Sequence, residues 1–393
     1  MSIMHLNPRL AALVEQQPFP TFSDEEFARR RRALIGAMRQ AQVDHLLVCG
    51  EQRVGSGVAW ATGWPTTTEA LVIVSSSEQH LMFMEWYNHF PLAQRMAHDT
   101  EVKWGEHAGI DKVIAELRRR GAKRVGFIGP LAYRKCKNLE GAFDALIEMN
   151  RDYVELRLVK SAEEIDWLRI GAAYSDAAIE ALRQKLRPGL TERELWDITE
   201  RAYIADGGTT QIHYFGVTSM ENPDCCVPRQ FPENRAVQVG DVVFCEISGA
   251  FGDYPGQVLR TFTVGDEATP LYRDLYATAE AAFDAIAALL RPGTTPQQII
   301  EVSGVIEKAG FTTCDDILHG YGGGYFPPVL GSQSRPAGPI PDLPLQAGMT
   351  LVVQPNVITR DHKAGVQVGE LVHITEHGFE RLHKSPRALF RVA

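Results

Sequence analysis

No run of about 18 apolar residues occurs anywhere in the 393-residue chain, so a membrane-spanning helix is not expected. The first residues carry no apolar core of a secretory signal and no cleavage site. Cysteine is sparse and scattered: Cys49, Cys136, Cys225, Cys226, Cys245 and Cys314 include no C-x-x-C pair. That excludes a zinc knuckle and a disulfide framework, and leads us to expect free thiols and a cytoplasmic location. Basic clusters are few. Arg29–Arg32 and Arg118–Arg120 stand in helix-like stretches and read as solvated faces, and the formal net charge is -9, so a nucleic-acid partner is not expected.

Hydrophobic residues make up 45% of the chain and charged residues 23%, as in ordinary globular proteins. The length suits two domains of roughly 150 residues or more. Residues 1–20 read as a loose arm. Ser23 with Glu26 forms a capping-box pattern opening a helix to about Gln42. Apolar runs at 45–49, 70–74, 81–84 and 124–128 read as strands, with a helix over 110–120 between them. This alternation predicts a three-layer α/β domain over 1–158. Ser161 with Glu164 then opens a long amphipathic helix, and a second domain is expected over 159–393. In it, helix, Arg-Pro-Gly break and helix occur twice, at 187–189 and 291–293, each followed by strand-rich sequence at 241–264 and 349–376. The pattern suggests an internal duplication.

Six motifs in this order resemble the creatinase/aminopeptidase P/prolidase family. They are Lys160-Ser-Ala-Glu-Glu, Gly240-Asp-Val-Val-Phe, Leu259-Arg-Thr-Phe, His319-Gly-Tyr-Gly, Gly348-Met-Thr-Leu-Val-Val-Gln-Pro355 and Gly365-Val-Gln-Val-Gly-Glu. The resemblance spans the second domain and, more loosely, the first. It implies an α/β (α+β) chain: a three-layer creatinase-type N-terminal domain, then a pita-bread domain with pseudo-twofold α-β units around a curved antiparallel sheet. It also implies a homodimer in which the first domain, through Trp60, Trp64, Trp86 or Tyr87, reaches over a neighbour's site.

The metallopeptidases of that family hold two metal ions with two Asp, one His and two Glu. The corresponding positions here are Glu246, Gln257, His319, Gln354 and Gly369, the last followed by Glu370. Two carboxylates have become amides and one side chain is lost. The expectation is therefore that no metal and no other cofactor is used, as in creatinase and ectoine hydrolase, two members that also lack the intact set. Segments Phe244–Gly249, Tyr325–Gly331 and Pro386–Phe390 resemble ectoine hydrolase, and Arg335-Pro-Ala-Gly resembles creatinase. The loop where both carry a His has Asp224 instead, before Cys225 and Cys226.

The residues themselves support a small-molecule site. His319 before the glycine-rich turn that contains Tyr321 suits a general acid or base. Glu246 interrupts an apolar strand, where a carboxylate must be paired or shifted, for instance by sharing a proton with Glu370. Asp224 is a further candidate base, and a nucleophilic Cys225 or Cys226 would need His213 or His319 nearby. Gln257, Gln354, Arg229, Arg335, Tyr321 and Trp64 are candidate substrate contacts, the arginines for a carboxylate. The leading expectation is a metal-independent hydrolase of a non-peptide C–N bond, an amide, amidine or guanidine. Alternatives are a lyase on the same fold, a non-catalytic binding module and a residual Xaa-Pro metallopeptidase.

Overall fold

The computed structural model describes residues 6–52 and 55–393. The chain forms two compact units, residues 17–157 and residues 158–393 joined by 1–16. The expected cut after residue 158 thus falls one residue earlier, and the start of the chain goes with the second unit. Nor are its described residues, 6–16, a loose arm. Asn7 accepts from the Leu10 amide at 3.0 Å and caps a helix over Pro8–Val14, and Arg9 pairs with Asp166. Among the described residues no helix is long and apolar enough to cross a membrane.

The 17–157 unit is built on six strands: β1 (His45–Gly50), β2 (Ala70–Val74), β3 (His80–Met84), β4 (Thr100–Trp104), β5 (Arg124–Ile128) and β6 (Ala145–Glu148). They lie in the order β4-β3-β2-β1-β5-β6, antiparallel at β1–β2 and β2–β3 and parallel elsewhere. Successive residues of a strand face opposite sides, and β2 shows it directly. Ala70, Val72 and Val74 pack with Leu34, Trp60 and Tyr153, while Leu71 and Ile73 pack with Ile110, Val113 and Leu117. Helices Asp24–Gln40 and Gly109–Arg119 thus cover opposite faces, giving the three expected layers.

Two local expectations change here. Ser23 caps the Asp24–Gln40 helix, accepting from the Glu26 amide at 3.1 Å, but Glu26 does not complete the box. Its carboxylate turns to Arg29 at 2.7 Å and Arg30 at 2.6 Å. Arg30 is not part of a solvated face. It is 1% exposed, with its guanidinium 3.9 Å from the centre of the Phe22 ring.

The second unit carries β7 (Thr209–Ser219), β8 (Asp241–Phe251), β9 (Tyr254–Val264), β10 (Thr312–Thr313), β11 (Leu318–Tyr321), β12 (Tyr325–Leu330), β13 (Thr350–Val353), β14 (Val357–Ile358), β15 (Gly369–Thr375), β16 (Gly378–Arg381) and β17 (Leu389–Val392). The main sheet runs β12-β11-β13-β15-β9-β8-β7, with β16 beside β15 and β17 beside β9; β10 and β14 pair separately. The helix Ala162–Lys185 opens on a complete capping box, Ser161 Oγ to the Glu164 amide at 3.2 Å and Glu164 back to the Ser161 amide at 2.9 Å. It crosses β8 and β9 at close range. A Cβ on Gly171 would lie 2.3 Å from the Tyr254 carbonyl oxygen, so only glycine permits this approach.

β9 and β15 are locked by one buried cation. Arg260, 1% exposed, donates to the carbonyls of Leu259, Gly369, Ser385 and Pro386 at 2.8–2.9 Å and to Glu370 at 3.0 Å. Glu370 also pairs with Arg381. Burial alone would raise the Glu370 carboxyl, but the Arg381 hydrogen bonds and the Arg260 charge outweigh it and hold it below the ordinary range.

Two outcomes follow for stability. Gly171→Ala forces the helix off the hairpin and is expected to lower the unfolding free energy by about 2 kcal/mol in denaturant titrations; an unchanged midpoint contradicts the packing. Glu370→Gln leaves Arg260 short of its counter-charge and is expected to cost about 3 kcal/mol. Because the folded carboxyl is depressed, this contribution is full above the ordinary value of 4.5 and disappears as pH falls through the lowered one. Acid titration should therefore bring wild type and variant together at low pH; a constant gap down to the acid limit contradicts the assignment.

Candidate active site

The site is assembled by strand alternation. On β8 and β9, Ser248 stands opposite Gln257 and Glu246 opposite Leu259, so Glu246 and Gln257 are diagonal neighbours on one face. On β11 and β13, His319 stands opposite Val352, and the Gln354 amide bonds the Ile317 carbonyl at 2.9 Å just beyond. His319 and Gln354 are therefore diagonal in the same way. Gln257 joins the two halves, donating through Nε2 to Glu246 and to Gln354 Oε1 at 3.3 Å. Gln354 Nε2 in turn reaches Asp315 Oδ2 at 3.4 Å and the Asp316 carbonyl at 3.3 Å. Four expected site residues, Glu246, Gln257, His319 and Gln354, are thus brought together.

Asp315 and Asp316 join them without having been anticipated, as does Tyr325. The Tyr325 ring stacks on His319 with centroids 3.9 Å apart and planes 16° apart. Its hydroxyl donates to Asp316 Oδ1 at 2.8 Å. Tyr321 is 5% exposed, meets His319 edge-on at 5.3 Å and donates to Ser248 at 3.4 Å. The sequence signal for the aspartates was an Asp-Asp pair three and four residues ahead of His319, in the loop entering β11.

Three carboxyls close together in a poorly solvated place repel one another. Burial, then the charges of Asp315 and Asp316, push the Glu246 carboxyl up to about 8. Burial and the Asp316 charge push Asp315 up to about 7, and burial raises Asp316. The His319 imidazole goes the other way, down to about 4: burial outweighs the Gly320 carbonyl, Asp315 and the Gln354 carboxamide, which favour its charged form. His319 is therefore neutral near pH 7 and Glu246 is largely protonated.

Other expected residues lie elsewhere. Glu370 does not share a proton with Glu246. As neighbours on a strand, Gly369 and Glu370 face opposite ways, and Glu370 turns to Arg260 and Arg381. Asp224 closes its own turn, accepting from Thr218 Oγ1 at 2.6 Å while its amide donates back at 3.0 Å. Arg229 pairs with Glu192 at 2.8 Å and Glu233 at 2.9 Å. Arg335 is exposed. Trp64 is 2% exposed in the core of the 17–157 unit and Trp60 is 3% exposed there, so neither is a projecting lid; Trp86 and Tyr87 are exposed. Cys225 and Cys226 are buried; burial raises both thiols, Cys226 to about 11, and Cys225 bonds the Val227 carbonyl. His213 is engaged with the Tyr203 hydroxyl at 2.6 Å. A thiolate nucleophile is not supported.

The comparisons with known proteins place this geometry. The profile of metallopeptidase family M24 matches residues 166–376, and that of the creatinase/prolidase N-terminal domain matches residues 30–170. The chain belongs to metallopeptidase family M24, with its pita-bread fold and creatinase-like N-terminal domain. An uncharacterized hydrolase/peptidase, y4tL, of Sinorhizobium fredii is 26% identical over 94% of this chain and 97% of its own. The Xaa-Pro aminopeptidase of Escherichia coli is 24% identical, covering 73% and 72%. The Xaa-Pro dipeptidase of Pyrococcus furiosus is 23% identical, covering 69% and 76%. Among solved structures, dipeptidase PepE from Mycobacterium ulcerans superposes with a TM-score of 0.79 at 22% identity over 94% and 99%. The prolidase from Pyrococcus horikoshii gives 0.77 at 17% over 92% and 99%.

These relatives correct the leading expectation. Those named for a specific activity are dipeptidases and aminopeptidases, and the family is one of metallopeptidases, which overturns both the non-peptide C–N hydrolase and the metal-independent label. The donor set here still departs from the two-metal pattern. Its five positions offer one carboxylate, one imidazole, two carboxamides and a glycine. One carboxylate does not neutralise two divalent ions. Among the described residues no group of three or more His, Cys, Asp or Glu could hold an ion. These residues do not fit a two-metal centre.

With both thiols raised and buried, Cys225 and Cys226 are expected to resist alkylation in the folded protein at neutral pH and to react only after unfolding, as read by mass spectrometry. Rapid labelling of either in the native chain contradicts this placement.

Proposed function

We propose that this protein hydrolyses peptide bonds in short peptides, as an Xaa-Pro-type dipeptidase or aminopeptidase. The observation that carries the reading is the M24 match over residues 166–376, together with relatives named for that activity at 23–28% identity. The site is compatible with it. In such a reaction water adds to the peptide carbonyl carbon, the C–N bond breaks, and the departing nitrogen takes up a proton. His319 supplies a neutral imidazole, and its Nε2, which has no hydrogen-bond partner among the described residues, can accept one from water or substrate. Tyr325, stacked on that ring and tied to Asp316, fixes its orientation. Gln257 and Gln354 can pair with a peptide group, which has one donor and one acceptor.

The test is product analysis on a panel of Xaa-Pro and Xaa-Xaa dipeptides beside amidines and guanidines. Free amino acids from the dipeptides are expected. Turnover of amidines with none of peptides contradicts the reading. His319→Asn is expected to lower kcat/KM by about 100-fold with the fold retained by circular dichroism; full activity in that variant removes His319 from the reaction.

A further inference from the structure

The buried groups left unmet in the site share one chemical character. His319 Nδ1 lies 3.1 Å from the Gly320 carbonyl oxygen. A carbonyl only accepts, so Nδ1 carries the proton and Nε2 is a bare lone pair, in a residue with no exposed surface. Gln257, 2% exposed, spends its amide nitrogen on Glu246 and Gln354, and its Oε1 meets no donor among the described residues. Asp316 receives the Tyr325 hydroxyl on Oδ1, and its Oδ2 meets no donor among the described residues. Beside these acceptors stand the Glu246 and Asp315 carboxyls. None of the three acidic side chains is ion-paired with Lys or Arg among the described residues. The pocket holds unmet acceptors with no cation beside them among the described residues, and its carboxyls, kept partly protonated by burial and mutual repulsion, ionise against a cation that arrives.

A cationic donor satisfies it, and the arrangement discriminates between kinds of cation. A divalent ion draws its oxygen ligands to about 2.0–2.6 Å around one point. The described residues offer no such group. A primary ammonium carries three N–H donors and takes acceptors spread around it at about 2.7–3.2 Å. We propose that the pocket formed by Glu246, Gln257, Asp315, Asp316 and His319 binds a primary ammonium group of the substrate, in the region where other family members hold metal ions. The bearer of that ammonium, as a peptide, rests on the peptidase reading. Its two sources are the peptide N-terminus and a lysine-type side chain. An ammonium anchored here returns to the site the positive charge that the amides at 257 and 354 and the glycine at 369 no longer attract.

Isothermal titration of the full-length protein at neutral pH and low salt tests this, with n-butylamine, alanyl-proline, N-acetyl-alanyl-proline, an Nα-acetyl-lysine amide and Mn2+ as separate titrants. Butylamine is expected to bind. Acetylation of alanyl-proline should weaken binding by about tenfold or more. Binding of alanyl-proline alone assigns the N-terminus, and binding of the lysine amide alone assigns the side chain. Asp316→Asn keeps an acceptor for Tyr325 and removes a charge, so it should weaken butylamine by about tenfold while the thermal midpoint stays in place. No butylamine binding, or one Mn2+ bound per chain that excludes butylamine, overturns the inference. Equal binding and cleavage of free and acetylated peptide also overturns it, yet leaves the peptidase reading standing. Butylamine binding with no peptide turnover does the reverse.

Discussion

The centre of the large sheet depends on one buried charge pair. Arg260 of β9 and Glu370 of β15 are almost wholly shielded from water, and Arg260 spends its remaining donors on four carbonyls. That pairing fixes the register in which Gly369 meets Leu259 and Glu370 meets Val258. A slip of one residue would turn Glu370 to the opposite face and leave the guanidinium without its anion, at several kcal/mol. With the register held, alternation does the rest. Residue 257, three places from Arg260 on the same strand, faces the other side, where it meets Glu246 and Gln354.

The two faces of the sheet therefore treat charge differently. Behind it, Glu370 is neutralised by arginines and stays ionised. In front, Glu246, Asp315 and Asp316 have no such partner among the described residues, and burial with repulsion pushes their protons on. Amide N–H groups of Gln257 and Gln354, with the Tyr325 hydroxyl, meet part of the carboxyls' demand but not all of it. A pocket of this kind is suited to a substrate that brings donors and positive charge with it.

Much of the frame was legible in the sequence because it rests on local rules. The Ser161–Glu164 box opens its helix as written. Alternating apolar runs became strands of a three-layer unit, and ordered motifs identified the second unit. What escaped was set by tertiary placement. Arg30 reads as one of four solvated arginines, but Phe22 and Glu26 enclose it. Glu370 looks like a displaced ligand, but strand parity turns it away. Asp315 and Asp316 lie in a loop whose approach to Glu246, some seventy residues earlier, no local pattern announces. The amides at 257 and 354 suggested chemistry other than peptide cleavage, an inference from missing ligands that the family relationship overturned.

The most direct measurement is a crystal structure of the protein with a slowly hydrolysed alanyl-proline analogue bearing a free amino group. Its ammonium nitrogen is expected within hydrogen-bonding distance of Glu246, Asp316 and the Gln257 carbonyl oxygen, with the peptide carbonyl directed toward His319. Density for a metal ion among those side chains, or a peptide seated with its carboxylate in that pocket, would contradict it.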